Sequence, residues 1–310
     1  DDTDNRIFEA RGVKRQFRYQ PRHHAELGEP FGLDAPTGAS LSGPRFTFLR
    51  GDLARLHRAV GQFMIDTHTR DHGFTECVPP VLVKEEAMFG TDKLPKFAAD
   101  SFKANDGFWL IPTGEVPLTA SVMGMILTED QLPMRMTALT VCFRSEAGAA
   151  GRDTRGLIRQ HQFEKCELVT VTTPEDSERE LEYMTQAASN ILDRLGLHYR
   201  RVLLCAGDTG FGAAKTYDLE VWMPGMDRWV EVASCSNTRD FQARRMNTRY
   251  KGHHKDKAKF VHTLNASGLA VGRTVAAILE NNQLETGNII IPTVLRPYMG
   301  GQSSINIKES

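Results

Sequence analysis

The sequence predicts an α+β fold built on an antiparallel sheet, and two observations carry that prediction. Strand-like runs at Phe163–Val171, Tyr199–Cys205, Thr216–Met223 and Arg228–Ser234 succeed one another with few helices able to cross between parallel strands. Pro224-Gly225, between the last two runs, is a turn signal that predicts an antiparallel hairpin.

Taken in order, the first thirty residues are polar, with a basic stretch from Arg11 to His24 that predicts a solvated connector rather than a binding arm. Asp52 is the expected cap of a helix whose Leu53, Leu56, Val60, Phe63 and Met64 share one face. That helix gives out near Asp71-His72-Gly73, and Pro79-Pro80 prevents its return. A second helix is expected to start at Thr173-Pro174-Glu175-Asp176, with a cap, a first-turn proline and acids at the positive end of the dipole. Its stripe runs through Leu181, Met184, Ala188, Ile191, Leu192 and Leu195, and Gly196 stops it. The third helix is expected from about Leu269 to Glu280, and Arg249–Lys259 reads as a solvated loop.

Composition narrows the function. With 38 Lys+Arg against 39 Asp+Glu, the formal net charge is −1, so a polyanion would have to be met by a local patch. No apolar run reaches the roughly 20 residues that span a bilayer and no apolar leader segment opens the chain, which argues against a membrane or secretory role. The five cysteines are scattered and never form a CxxC pair, so reduced thiols are expected and a structural zinc is not. No repeat of 20–50 residues is present.

Three polar clusters stand out. In the densest, Arg144, Arg152, Arg155 and Arg159 surround a Gly/Ala-rich turn between two apolar stretches. Guanidinium groups make planar, bidentate contacts to phosphate, so this hairpin suits a polyphosphate. Equally, it could be a surface loop bridged by its own Glu146, Asp153 and Glu164. Neither a Walker A sequence nor a dinucleotide-binding glycine pattern occurs. The second cluster is Trp229-Val-Glu231-Val-Ala-Ser234-Cys235-Ser236-Asn237, where a carboxylate and a hydroxyl could meet Mg²⁺ or Glu231 could simply face water. The third, Asn265-Ala-Ser267-Gly268-Leu-Ala-Val-Gly272-Arg273-Thr274, either points an arginine from a helix start into a cleft or packs a helix with small residues.

In this order the clusters resemble the signature motifs of class II aminoacyl-tRNA synthetases, and specifically the seryl-tRNA synthetase family. The matching strings are Phe143–Lys165 (FRSEAGAAGRDTRGLIRQHQFEK), TGEVPLT from Thr113, SCSN with DFQARRMN up to Asn247, and HTLNASGLAVGRT from His262. The resemblance spans about Asp4 to Met299 and implies one catalytic domain over 1–310, with motif 1 at 49–80, motif 2 at 140–171 and motif 3 at 262–280. It implies an antiparallel sheet flanked by helices and a homodimer formed through motif 1. By residue match, Arg144 would hold the α-phosphate, Glu146 would read the adenine amino group, and Phe163 would stack on adenine with Arg273 opposite. Ser145, Val232 and Ala233 complete the implied ATP contacts, and Glu231 with Ser234 would hold Mg²⁺. The implied serine site comprises Thr113, Gly114, Glu115, Arg144, Glu167 and Ser267, and the implied catalytic groups are Arg144, Glu231 and Arg273. His161 is expected to be structural or substrate-orienting rather than a general base.

The implied reaction is ATP-dependent activation of L-serine followed by transfer to tRNA(Ser), with tRNA(Sec) as a further candidate, in the cytoplasm or an organelle matrix. The long helical arm usual at the family's N-terminus has no counterpart, because residues 1–48 show no heptad pattern and the chain starts at Asp1. That leaves a removed arm, an arm outside the chain or an armless relative. Gly114 fills the variable middle of the TxE loop, and Ala266 stands where many bacterial members have Gly. Two rival expectations are a relative delivering serine to a carrier protein or other acceptor, and an inactive paralogue that binds or regulates. Retention of Arg144, Glu146, Glu231, Ser267 and Arg273 argues against the second.

Overall fold

A computed structural model describes residues 4–147, 153, 155–252 and 257–307. Eight strands form its main sheet: β1 (Arg6–Arg11), β2 (Thr75–Glu76), β3 (Met134–Phe143), β4 (Gln162–Thr172), β5 (Tyr199–Leu203), β6 (Lys215–Met223), β7 (Arg228–Asn237) and β8 (His262–Ala270). Their order is β1-β5-β6-β7-β8-β4-β3-β2. Neighbours are antiparallel except β2 with β3, which pair in parallel. Three long helices, α1 (Gly51–Arg70), α2 (Ser177–Leu195) and α3 (Val271–Asn282), supply apolar stripes to the main core.

Strand β4 shows how one segment serves two layers. Cys166 and Leu168 enter the main core beside Leu56, Met184 and Val275, whereas Val169 and Val171 enter a smaller core with Leu118, Met136 and Tyr250. Successive strand side chains alternate between faces, so Phe163, Lys165 and Glu167 share the face opposite the helices. Strands β7 and β8 pair only at Cys235–Ala266, Ser236–Asn265 and Asn237–Leu264. Beyond those pairs β7 stays with β6 and β8 with β4, and the sheet opens between Glu231 and Ser267.

Several local expectations shift. Helix α1 starts at Gly51, and Asp52 is in its first turn rather than capping it. Extended Arg50, fixed through its N–H to the Gly32 carbonyl (2.8 Å), supplies the first helical carbonyl to Ala54 instead. Helix α2 starts at Ser177, because Thr173–Asp176 closes its own turn through the Asp176 N–H to the Thr173 carbonyl (3.3 Å). Its end at left-handed Gly196 is as expected. Helix α3 starts at Val271 because Leu269 and Ala270 still pair with Cys166 and Lys165 in the sheet. Strand β5 stops at Leu203, and β7 runs on to Asn237.

The N-terminal segment is not simply a solvated connector. Arg6–Arg11 adds an edge strand to β5, and His24 is fully buried in a short helix, His24–Gly28, against Glu280 of α3. The basic stretch after Arg249 is likewise partly sheet, with Arg249–Lys251 parallel to Ile126–Thr128 and antiparallel to Lys259–Phe260. Residues 253–256 of that stretch, and Arg152 of the arginine cluster, lie outside the described residues.

Candidate active site

The opening between β7 and β8 is a half-open cleft. Arg144, Glu146, Phe163, Lys165, Glu231, Val232, Ser267 and Arg273 line it, together with the chain from Leu157 to Gln160. All three polar clusters therefore meet in one place.

Arg144 leaves the end of β3 with its Nε donating to the Pro112 carbonyl (3.1 Å) and its guanidinium over the Phe163 ring (5.2 Å). Its backbone N–H bonds the His161 carbonyl (2.9 Å), and the His161 Nδ1 donates to the Arg144 carbonyl (2.9 Å). His161 thus laces the two limbs of the hairpin together, a structural task that spends one ring nitrogen. Glu146 is held by Arg159 Nη1 at 2.5 Å, and Asp153 pairs with Arg228. Some arginine charge is therefore matched by the hairpin's own acids, as the alternative reading expected, while Arg144 faces the cleft.

Arg273 sits in the first turn of α3. Its Nε donates to the Ile158 carbonyl (3.0 Å) and its Nη1 to the Glu231 carbonyl (2.8 Å), with the Glu231 carboxylate at 3.5 Å. Glu231 is half-exposed, and Ser234 pairs in the sheet with Asp218. Burial, with the nearby Glu231 charge adding to it, pushes the Asp218 carboxyl up to about 8, and among the described residues its buried Oδ1 has no hydrogen-bond partner. The Glu231 and Asp218 carboxylates and the Ser234 hydroxyl are hard oxygen ligands of the kind Mg²⁺ takes, with the Arg273 guanidinium beside them. Asp218 carried no local sequence signal beyond strand alternation and was missed.

Deeper along β4, Glu167 accepts from the Thr113 hydroxyl (3.1 Å) and from Lys165 Nζ (2.6 Å). Burial raises the Glu167 pKa against the opposing pull of Lys165. Gly114 lies against this pair: a Cβ there would fall 3.0 Å from Thr140 Oγ1 and 3.1 Å from Glu167 Cβ, a tight fit that would make those neighbours give by a few tenths of an ångström. Glu115 is buried and accepts from Gln242 Nε2 (2.8 Å), Asn265 Nδ2 (3.0 Å) and Lys93 Nζ (2.9 Å). Burial disfavours the Lys93 ammonium, but the Glu115 and Asp92 carboxylates outweigh it and raise its pKa. Lys165 was detectable, since it stands two residues from Glu167 on one strand face. Lys93 and Gln242 were not, because they reach Glu115 only through tertiary folding.

Thr113, Gly114, Glu115, Glu167 and Ser234 lie behind the cleft rather than lining it, and two further expected contacts turn elsewhere. The Ser145 hydroxyl donates to the Ala99 carbonyl (2.5 Å), away from the cleft, and the Ala233 side chain is buried in the main core. Either could meet a ligand only through its backbone.

Residues 97–282 match the family described as tRNA synthetase class II core domain (G, H, P, S and T). The chain is 63% identical over 301 residues to a serine--tRNA ligase of Erythrobacter litoralis, covering 97% of this chain and 71% of that protein. It is 64% identical over 305 residues to a serine--tRNA ligase of Gluconobacter oxydans, covering 98% and 72%. Among solved structures, the seryl-tRNA synthetase from Pyrococcus horikoshii complexed with ATP superposes with a TM-score of 0.96 at 36% identity, over 100% of this chain and 74% of that one.

Proposed function

Because the chain belongs to the serine–tRNA ligases of the class II synthetases, we propose that this cleft activates L-serine with ATP and passes the seryl group to tRNA(Ser). The observation that carries the assignment is the row Phe163, Lys165, Glu167 on one face of β4. Alternate residues stand about 7 Å apart, so this row joins an aromatic platform flanked by Arg144 to a polar pocket closed by Thr113 and Ser267.

Adenine stacks on Phe163 with Arg273 opposite, Glu146 reads its amino group, and backbone groups near Ser145, Val232 and Ala233 border the nucleotide. Arg144 takes the α-phosphate and the serine carboxylate, drawing the two reactants together. A serine carboxylate oxygen attacks the α-phosphorus in line, a P–O bond forms, and the bond to the β-phosphate breaks. Seryl-adenylate and pyrophosphate result. Such chemistry depends on positioning and charge neutralisation rather than on a covalent enzyme nucleophile. Glu231 and Ser234 would hold Mg²⁺, whose charge would offset that of the phosphates. Thr113, Glu115, Glu167 and Ser267 form the pocket for the ammonium and hydroxyl of serine, with Gly114 allowing the close approach. A pocket that hydrogen-bonds a hydroxyl is left with unpaired groups by alanine and so rejects it.

We further assign the whole of 1–310 to a single catalytic domain, tRNA(Sec) as a second acceptor, the cytoplasm as the compartment, and a homodimer as the working form. No helix among the described residues is long and apolar enough to cross a membrane. The test of the activity is serine-dependent ATP–pyrophosphate exchange without tRNA, with alanine, threonine and cysteine as controls. Exchange driven by serine alone is expected, and its absence in folded protein that binds ATP would overturn the assignment.

A further inference from the structure

Strand β8 contains a β-bulge, and the bulge decides which way Ser267 points. Ser267 pairs with Glu167 and Leu269 with Cys166, so Gly268 is the extra residue between them. In an unbroken strand, positions two apart share a face. Here Ser267 stands with Glu167 on the cleft side while Leu269 joins Cys166 in the main core. The bulge is thus the device by which one strand serves both the pocket and the core.

A bulge leaves its extra residue outside the regular ladder. At Gly268 the carbonyl is met by Nε2 of His68 at 2.6 Å, reaching up from α1. A carbonyl can only accept, so His68 Nε2 carries the proton. The His68 Nδ1 lies 3.0 Å from His72 Nδ1, and His72 Nε2 lies 3.2 Å from the Asn190 side-chain amide of α2. His68 is completely buried and also packs edge-on against Phe74. Nothing larger than glycine fits above it, since a Cβ on residue 268 would fall 2.7 Å from His68 Nε2.

We propose that His68 is a positioning residue for the serine pocket: by donating to the Gly268 carbonyl it locks the bulge that turns Ser267 towards Glu167. The role rests on the reading of Ser267 and Glu167 as serine contacts. It makes α1 part of the amino-acid specificity apparatus although no atom of α1 need touch substrate. Arg273, five residues on from Gly268, is anchored independently to Ile158 and Glu231, so loss of the His68 bond should disturb the serine side of the cleft more than the ATP side.

The test measures KM for serine and for ATP in pyrophosphate exchange with His68→Leu and His68→Gln. Removing the donor in His68→Leu should raise KM for serine about tenfold while KM for ATP stays within about twofold, and the amide donor of His68→Gln should restore most of the loss. Unchanged constants in His68→Leu, an equal rise in both, or a Gln variant no better than the Leu variant would overturn the proposal. Should His68→Leu not fold, Gly268→Ala presses the same contact from the other side and should show the same serine-selective loss. A normal KM for serine in that variant would also overturn it. Wild-type exchange that does not respond to serine would instead remove the underlying reading, so the two failures are distinct.

Discussion

Arg144 draws its orientation from three neighbours: the Pro112 carbonyl takes Nε, Phe163 lies beneath the guanidinium, and His161 ties down the backbone. With Nε spent, an anion in the cleft must be met by the terminal nitrogens, the pair suited to bidentate phosphate or carboxylate contact. Arg144→Ala should therefore cut serine-dependent exchange by at least about a hundredfold, as expected when a preorganised donor to developing charge is lost. Stopped exchange assays at saturating serine and ATP would check this, and near-normal rates would remove Arg144 from its role. Glu231 is anchored less tightly, with its carboxylate half-exposed beside Arg273. Glu231→Gln should move the Mg²⁺ titration of exchange to several-fold higher concentration, because a neutral amide is a poorer ligand than a carboxylate. An unchanged titration would show that Mg²⁺ is held elsewhere.

Elements contribute by what they bury as well as by what they present. Helix α1 offers the core Leu53, Leu56, Val60, Phe63 and Met64, as its periodicity predicts, but also carries His68 into an apolar layer. Burial lowers the His68 pKa to about 4, against the partial support of its bond to Gly268. A histidine depressed in the folded state is protonated first in the unfolded chain. Its stabilising contribution is therefore fully present above about pH 6.5 and is lost as pH falls towards 4. The shift corresponds to about 3 kcal/mol between those limits. Other groups titrate in the same range, and the raised Asp218 acts in the opposite sense, so the informative quantity is a difference. Thermal unfolding of wild type and His68→Gln from pH 7.5 to 4.5 should show the wild type losing stability more steeply on acidification. Parallel curves would mean that His68 already titrates normally.

At the scale of the whole molecule, the edge of the sheet at β2 is one of the places where the chain exposes apolar groups close together, as the opposite edge does at Ile7 and Phe8. Both residues of β2 are exposed, and just beyond it Val78 is 95% exposed, with Val81 and Leu82 also at the surface around Pro79-Pro80. Among the described residues that edge has no further strand partner, and an open edge beside apolar side chains can associate with another sheet edge, so it is where the proposed homodimer is tested. Val78→Asp should convert a dimer seen by sedimentation at micromolar concentration towards monomer while leaving the fold intact. A wild-type chain that sediments as monomer would refute the homodimer.

How far all this was legible in the sequence depends on the range over which each feature is encoded. Helix stripes, the Pro224-Gly225 hairpin, the stop at Gly196 and the facing of Phe163 with Glu167 follow from neighbours a few residues apart, where periodicity and turn chemistry act directly. The strings around Arg144, Glu231 and Arg273 pointed to residues that line the cleft, because the family resemblance matches them residue by residue. Other features were decided by contacts between distant segments. Gln242 reaches Glu115 across 127 positions of sequence, and His68 reaches Gly268 across 200. The polar opening residues looked solvated until β5 offered Arg6–Arg11 an edge and Glu280 gave His24 a buried partner. Local sequence sets what a segment can form. Only the tertiary structure decides which buried polar groups find partners, because a donor removed from water must be satisfied by whichever acceptor the folded chain brings to it.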